Sequence, residues 1–153
     1  MHRGSLLLAL AAPMLLLAQS AGVLTVKPVE KPKAKRNDVF TVKVTAELKQ
    51  GYHANSNTPS DAYMIPLKLT WQAAPLQVEE ISYPKPQMEK YDFAEKPLSV
   101  VTGSFDILTK FKAPPTVTAG PILATGKLRY QACTNQMCLP PKTVEVPLTI
   151  EIQ

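Results

Sequence analysis

Two cysteines are the residues of this chain best suited to chemistry. Cys133 and Cys138 are its only cysteines, and four residues separate them in the stretch RYQACTNQMCLPPKT at positions 129–143. Cysteines at this spacing can form a structural disulfide, contribute to a metal site, or exchange disulfides with a partner protein. Each possibility places different demands on the rest of the sequence.

A metal site at this pair would need further ligands. Structural zinc takes four ligands, and His53 is the only histidine outside the N-terminal leader described below. Cu(I) prefers soft sulfur ligands, and Met137 could supply a third sulfur. Because Met137 lies directly beside Cys138, the loop would have to be strained to bring all three sulfurs inward. We therefore expect no bound metal, and we expect no organic cofactor.

A structural disulfide and a reactive one both fit the spacing. Closing so short a loop removes only roughly 2 kcal/mol of unfolded-state entropy, which is a small gain in stability. Most disulfides of exported proteins are nevertheless structural. Spacing alone therefore favours a structural disulfide, which we call a passive clip. Exchange requires a short spacing and an exposed sulfur. The alternation along residues 122–132 places Cys133 on the outward-facing side of a strand, and the polar residues between the cysteines also favour exposure.

The N-terminus predicts export. His2 and Arg3 precede an apolar run from Leu6 to Leu17, and small residues follow it, which is typical of a cleaved signal peptide over residues 1–20. The run is too short to span a bilayer, which takes roughly 20 residues. We expect an exported, soluble, periplasmic protein with no stable membrane insertion, in a compartment where two cysteines are usually paired.

A basic, proline-rich segment follows at residues 21–38. It contributes several cations to a net charge of +5, and its prolines predict an extended, solvated chain. Neither an amphipathic helix nor basic residues interleaved with aromatics occur there. The sequence therefore indicates no nucleic-acid partner.

Alternating apolar residues predict strands in most of the remaining chain. The pattern runs through residues 40–48, 67–71, 105–111 and 122–132. It is clearest at the end, in Val144, Val146, Leu148, Ile150 and Ile152. Period-two alternation indicates antiparallel sheets with one buried face. About seven short strands separated by proline-rich turns predict an all-β fold, an immunoglobulin-like β-sandwich, as a single domain over residues 39–153.

Two stretches show no strand pattern and are predicted to be long loops. They are HANSNTPSDAYMIP at residues 53–66 and YPKPQMEKYDFAEKP at residues 83–97. Long ordered loops on a sandwich are common places for function.

The cysteine stretch resembles a known family. YQACTNQMCLPPKTVEVPL, which includes Tyr130, is similar to the cysteine hairpin of the N-terminal periplasmic domain of the thiol:disulfide interchange protein DsbD, and GYHANSNTPSDAYMIPLKLTW resembles an earlier segment of that family, especially of its stand-alone members. The similarity extends from about Val39 to Ile152.

This resemblance implies a thiol–disulfide relay. It implies an immunoglobulin-like domain that passes electrons between thioredoxin-like periplasmic proteins and a membrane-bound reductant. Cys138 would face the partner and Cys133 would resolve the mixed disulfide. A cap loop that shields the disulfide would correspond to KYDFAEK, with Asp92 and Phe93 as its acidic and aromatic residues.

The sequence departs from the family pattern in three respects. Four residues separate the cysteines, where the best-known members have five. His53 and Asn55 replace the tyrosines expected beside the cysteines, and His53 could share a proton with a thiol near neutral pH. The chain ends at Gln153 without the family's membrane carrier or thioredoxin-like domain, so we expect the reductant to lie on a separate polypeptide. The alternative is an exported binding module with a purely structural disulfide or, less favoured, a copper-binding module.

Overall fold

The computed structural model describes residues 22–153, and these residues form strands and loops only. Within this range no helix is long and apolar enough to cross a membrane. The predicted signal peptide at residues 1–20 lies outside the described residues. The strands, in chain order, are β1 (Leu24–Val26), β2 (Lys33–Ala34), β3 (Val39–Leu48), β4 (His53–Asn55), β5 (Lys68–Gln72), β6 (Gln77–Ser82), β7 (Gln87–Glu89), β8 (Leu98–Thr102), β9 (Ser104–Lys112), β10 (Gly120–Tyr130), β11 (Ala132–Cys133) and β12 (Lys142–Ile152).

The strands form three four-stranded sheets, and two of them make up the sandwich. The first sheet has the order β1-β3-β9-β6 and the second has the order β2-β12-β10-β5. Their long strands alternate buried and exposed residues, as the apolar pattern predicts. Residues from both sheets share two hydrophobic clusters. The predicted all-β, immunoglobulin-like sandwich is therefore confirmed.

Trp71 links the two sheets of the sandwich. It belongs to β5 of the second sheet, yet its indole N–H donates a 2.9 Å hydrogen bond to Thr109 Oγ1 in the first sheet. Its ring meets Phe111 edge-on and covers Gly126, where an added Cβ would lie 3.0 Å from the indole. A glycine in β10 thus makes room for the aromatic ring that joins the layers.

The described part of the basic segment, residues 22–38, runs along both sheets. β1 pairs antiparallel with β3, and β2 pairs in parallel with the end of β12. Leu24 and Ala34 are buried, whereas the lysines of the segment are exposed. The backbone of this part therefore completes one edge of each sheet.

The third sheet has the order β11-β4-β8-β7 and carries the cysteine pair. Two of its strands, β4 and β7, lie in the stretches predicted to be loops, so that prediction was wrong for these residues. β4 is buried at all three positions, and a strand buried on both faces shows no alternation. β7 is a three-residue exposed edge strand, too short to show a period. We call this third sheet the site sheet.

Candidate functional site

The cysteine pair closes a tight hairpin at the edge of the site sheet. Cys133 ends β11 and is bonded to Cys138. Thr134 N donates to Met137 O at 2.8 Å, and Leu139 N donates to Ala132 O at 2.8 Å. These two bonds frame the disulfide on either side.

Thr134 shapes the turn between the cysteines. Its Oγ1 accepts hydrogen bonds from the backbone N–H groups of Gln136 and Met137, each at 3.2 Å. A threonine hydroxyl that bonds the backbone two residues ahead stabilises a local turn. The four-residue connection is therefore ordered by its own first residue, and Met137 is exposed at its tip.

The two cysteines differ sharply in exposure. Cys133 has 2% of its surface exposed, whereas Cys138 is an exposed residue. The expectation of an exposed Cys133 was wrong. Gln131 lies between β10 and β11 outside either strand, so the alternation of β10 does not continue into β11, which belongs to a different sheet. A partner approaching from solvent would meet Cys138 first.

Cys138 opens onto a groove of about 690 Å³, which we call the cysteine groove. Phe93 and Leu98 line it on one side, and Met64 and Ile65 on another. Phe93 is 45% exposed, so this wall is partly apolar and partly open. A partner segment with an apolar surface would find complementary contacts directly beside the exposed cysteine.

Asn55 lies at the floor of the cysteine groove. It is buried, and its Nδ2 donates a 3.0 Å hydrogen bond to the Ile65 carbonyl. This bond ties β4 to the loop that follows it. Asn55 therefore holds one wall of the groove in place, and Cys138 lines the same groove.

His53 packs against the segment at residues 90–96, which we call the cap segment. It is 2% exposed, and its register partner in the neighbouring strand is Cys133. Its imidazole stacks on Tyr91 with the ring centroids 4.0 Å apart, and Tyr91 stacks on Phe93 at 5.6 Å. Three rings thus connect the site sheet to the loop carrying Phe93.

The environment of the stack shifts two pKa values. Burial lowers the pKa of His53 below its usual value, because the protonated ring loses hydration. Burial and, to a smaller extent, the Glu89 carboxylate raise the pKa of Tyr91. Both rings are therefore neutral near pH 7.

Nε2 of His53 is buried without a hydrogen-bond partner, and it is the one such side-chain atom found within residues 22–153. Leaving a buried polar group unsatisfied costs about 1–3 kcal/mol. Such groups are uncommon in native proteins and call for an explanation.

The cap segment folds back on itself through local bonds. Ala94 N donates to Tyr91 O at 3.0 Å, and the Lys90 ammonium donates to the Ala94 carbonyl. Asp92 is exposed and lines a second groove of about 680 Å³ with His53 and the hairpin residue Asn135; we call it the histidine groove. Asp92 and Phe93 thus belong to one loop and face two different grooves.

Tyr130, another predicted site residue, lines neither groove. It is 2% exposed and belongs to the sandwich core. Burial raises its pKa, and a backbone hydrogen bond at Leu24 opposes that shift. Its hydroxyl therefore joins β10 to β1, away from the cap and its two grooves.

Sequence reasoning missed Tyr91 and Thr134. Tyr91 stands beside the predicted Asp92 and Phe93, and an aromatic pair two residues apart in a polar loop was an available signal. A threonine at the first position of a tight turn was another. No local pattern, however, indicates that Tyr91 stacks on a histidine 38 residues earlier in the chain.

Comparison of the chain with known proteins shows one matching family. The family model described as "Thiol:disulfide interchange protein DsbD, N-terminal" matches residues 20–150. No curated protein matches the chain.

Two solved structures of bacterial domains are similar to this chain. The DsbD N-terminal domain of Neisseria meningitidis in the reduced form is 17% identical, with a TM-score of 0.48 over 72% of this chain and 77% of that one. The N-terminal periplasmic domain of ScsB from Proteus mirabilis is 12% identical, with a TM-score of 0.52 over 75% of this chain. The match spans 43% of the ScsB chain.

Proposed function

The chain belongs to the family of DsbD N-terminal domains, and from that membership we propose that it exchanges its Cys133–Cys138 disulfide with the thiols of partner proteins. The family name supports thiol–disulfide interchange in general. The particular relay, its partners and the roles of the two cysteines are the finer parts of the proposal.

The unequal exposure of the two cysteine residues is the observation that carries the proposal. Attack on a disulfide needs access to one sulfur, and the other must leave. Cys138 is exposed beside a partly apolar groove, while Cys133 is buried. A passive clip would need neither the difference in exposure nor the groove.

The exchange proceeds through a mixed disulfide. A partner thiolate attacks Sγ of Cys138, the Cys133–Cys138 bond breaks, and Cys133 leaves as a thiolate that takes up a proton. The second partner thiol, after losing its proton, attacks the mixed disulfide and releases Cys138 as a thiolate, which takes up the second proton. The partner becomes a disulfide, and this domain gains two electrons and two protons. The reverse sequence passes the electrons to an acceptor disulfide.

The cap controls access in this proposal. Phe93 lines the cysteine groove and is attached to the site sheet through the ring stack with Tyr91 and His53. A docking partner would displace Phe93 and occupy the apolar wall. Thioredoxin-like proteins of the periplasm are the proposed partners, with a membrane-bound reductant on a separate chain as the source of electrons.

The reduction potential of the Cys133–Cys138 disulfide tests the proposal. We would equilibrate the purified exported protein against glutathione or a dithiol and measure the reduced fraction. A potential within roughly −120 to −270 mV is typical of proteins that exchange disulfides. A potential below about −300 mV is typical of structural disulfides, and it would favour the passive clip over the relay.

A further inference from the structure

His53 and Cys133 are direct neighbours across two strands. β4 and β11 are antiparallel, and Cys133 pairs with His53 while Ala132 pairs with Ala54. Residues directly opposite each other in an antiparallel pair place their side chains on the same face, with Cβ atoms about 4.5–5.5 Å apart. The imidazole and the Cys133 sulfur therefore share one face of the site sheet.

The unpartnered Nε2 distinguishes His53 from a histidine that only packs. The ring stacks on Tyr91, but a phenylalanine could stack there without a buried nitrogen. Since Nε2 is buried and has no partner within the described chain, stacking alone does not account for the choice of histidine. A redox or catalytic role is one recognised reason for such a group.

Reduction of the disulfide would supply the missing partner. In the oxidised protein the Cys133 sulfur is bonded to Cys138 and carries no proton. In the reduced protein it carries an S–H, and a neutral imidazole nitrogen can accept that proton. The atom that lacks a partner in one redox state thus has a candidate donor on the same face of the sheet in the other.

We infer that His53 is the general base and acid for Cys133, with Nε2 taking the Cys133 thiol proton when the mixed disulfide is resolved and returning it when the disulfide is reduced. This inference rests on the proposed function, because it assigns a residue to one step of that exchange.

Oxidation of the reduced domain begins at Cys138 and ends with a proton transfer through His53. When the reduced domain passes its electrons on, the Cys138 thiolate attacks an acceptor disulfide and releases one acceptor thiolate. Cys133 then transfers its thiol proton to Nε2, and its thiolate attacks Sγ of Cys138. The intramolecular disulfide forms, the mixed disulfide breaks, and the second acceptor thiolate leaves and receives a proton from the imidazolium or from water.

The surroundings keep the ring available as a base. The lowered pKa of His53 means that the ring remains neutral at neutral pH. In the neighbouring strand β8, the uncharged Thr102 lies opposite His53. The charged and titratable groups of the histidine groove are Glu47, Lys49, Tyr52, Glu89, Lys90, Tyr91 and Asp92. Because these groups include both anions and cations, their charges partly cancel. They therefore do not drive protonation of the neutral imidazole.

Resolution of a glutathione adduct tests the inference directly. We would mix the fully reduced exported protein with oxidised glutathione, quench with acid, and follow the adduct on Cys138 by intact-mass spectrometry between pH 5.5 and 9. In His53→Phe the adduct should form at the wild-type rate, because Cys138 attacks without the histidine. It should decay roughly 10²-fold more slowly at pH 7, the usual contribution of a general base.

The pH profile separates proton transfer from a structural effect. Without His53, the decay rate should rise tenfold per pH unit up to the pKa of an ordinary thiol, about 8.5, whereas the wild-type rate should already level off near neutral pH. His53→Gln, which keeps a polar side chain, should behave like His53→Phe. Thr102→Val, which changes the neighbour of His53 on its other side, should retain the wild-type profile.

Three results would overturn the inference. One is a decay rate and pH profile in both His53 variants that match the wild type. Another is equal slowing of adduct formation and decay, which would indicate a displaced hairpin. The third is a wild-type protein that forms no adduct at all, which would also remove the proposed exchange, whereas the first two leave it standing.

Discussion

The sandwich and the site sheet solve different physical problems with the same kind of strand. The two sandwich sheets contain strands of up to 11 residues with one buried and one exposed face. The strands of the site sheet have at most five residues, and β4 is buried on both faces. The sandwich holds the chain together through apolar contact, while the site sheet collects a disulfide, a buried histidine and an aromatic stack.

This contrast indicates that stability and reactivity are partly separated in space. The second hydrophobic cluster contains no residue of the site sheet, whereas Ala54, Val101 and Ala132 of that sheet pack into the first. The site sheet carries the unpartnered Nε2 and the disulfide. Substitutions in the two regions should therefore affect different measurements, and the following predictions test how complete the separation is.

The largest effect on disulfide exchange is expected from Cys133→Ala in the site sheet. Exchange should be abolished, and a mixed disulfide formed between Cys138 and a thioredoxin-like protein that keeps only one active-site cysteine should persist, because neither chain then has a resolving thiol. The loss of a short disulfide loop should cost roughly 2 kcal/mol of unfolding free energy. Non-reducing electrophoresis and urea denaturation measure the two effects. Absence of any trapped species would count against a reactive pair.

Phe111→Ala tests the sandwich in the opposite way. Phe111 is fully buried between the sheets and contacts Phe40 and Trp71. Its truncation should lower the unfolding free energy by about 3–5 kcal/mol, measured by urea denaturation. The exchange rate of the folded fraction should match that of the wild type. A slower exchange by folded protein would mean that the two regions are coupled.

The pH dependence of stability should report the buried histidine of the site sheet. His53 has a lowered pKa when folded, so below pH 6.5 the unfolded chain binds a proton that the folded chain does not. Stability should therefore fall as the pH decreases from 6.5 towards the folded pKa, by up to roughly 1.4 kcal/mol per pH unit. Urea titrations at pH 7.5 and 5.5 should show this loss in the wild type and a smaller one in His53→Gln. Equal losses would place the titrating group elsewhere.

The smallest effect on stability is expected from Phe93→Ala in the cap. Phe93 is half-exposed and its ring contact is with Tyr91, so the cost should be at most about 1 kcal/mol. Reduction of the disulfide by a small dithiol should become severalfold faster, because the wall beside Cys138 is removed. Rates measured under excess dithiothreitol provide the test. An unchanged rate would show that the ring does not restrict access.

The same contrast explains how far the sequence could predict the structure. Val144 to Ile152 alternate regularly, and a sheet with one wet face produces that pattern directly, so the sandwich followed from periodicity. His53, Ala54 and Asn55 lie in a strand buried on both faces, where polar residues find partners through tertiary contacts. No local pattern could reveal that strand. Gln131 interrupts the alternation that placed Cys133 outward, and one residue is enough to reverse a side chain.

The sequence also predicted part of the candidate site. The cysteines could be named from residue type and spacing, whereas Asn55 and Phe93 could be named because the family resemblance supplied them. Tyr130 was named on the same basis, and its side chain lies in the core at Leu24, because the residue type alone does not fix where a strand places it. The pairing of His53 with Cys133 depends on register between distant strands, which only the folded structure provides.

The parallel pairing of β2 with β12 also bears on the order in which the chain can fold. Lys33 and Ala34 lie opposite Glu151 and Ile152, so this segment finds its place only after the chain has been made as far as β12. Contacts between segments so distant in sequence form slowly, since the intervening chain must first be closed into a loop. The second sheet should therefore be completed only once β12 is in place, with β2 among the last strands to dock. The oxidation of Cys133 and Cys138, which lie close together in the chain, need not wait for it.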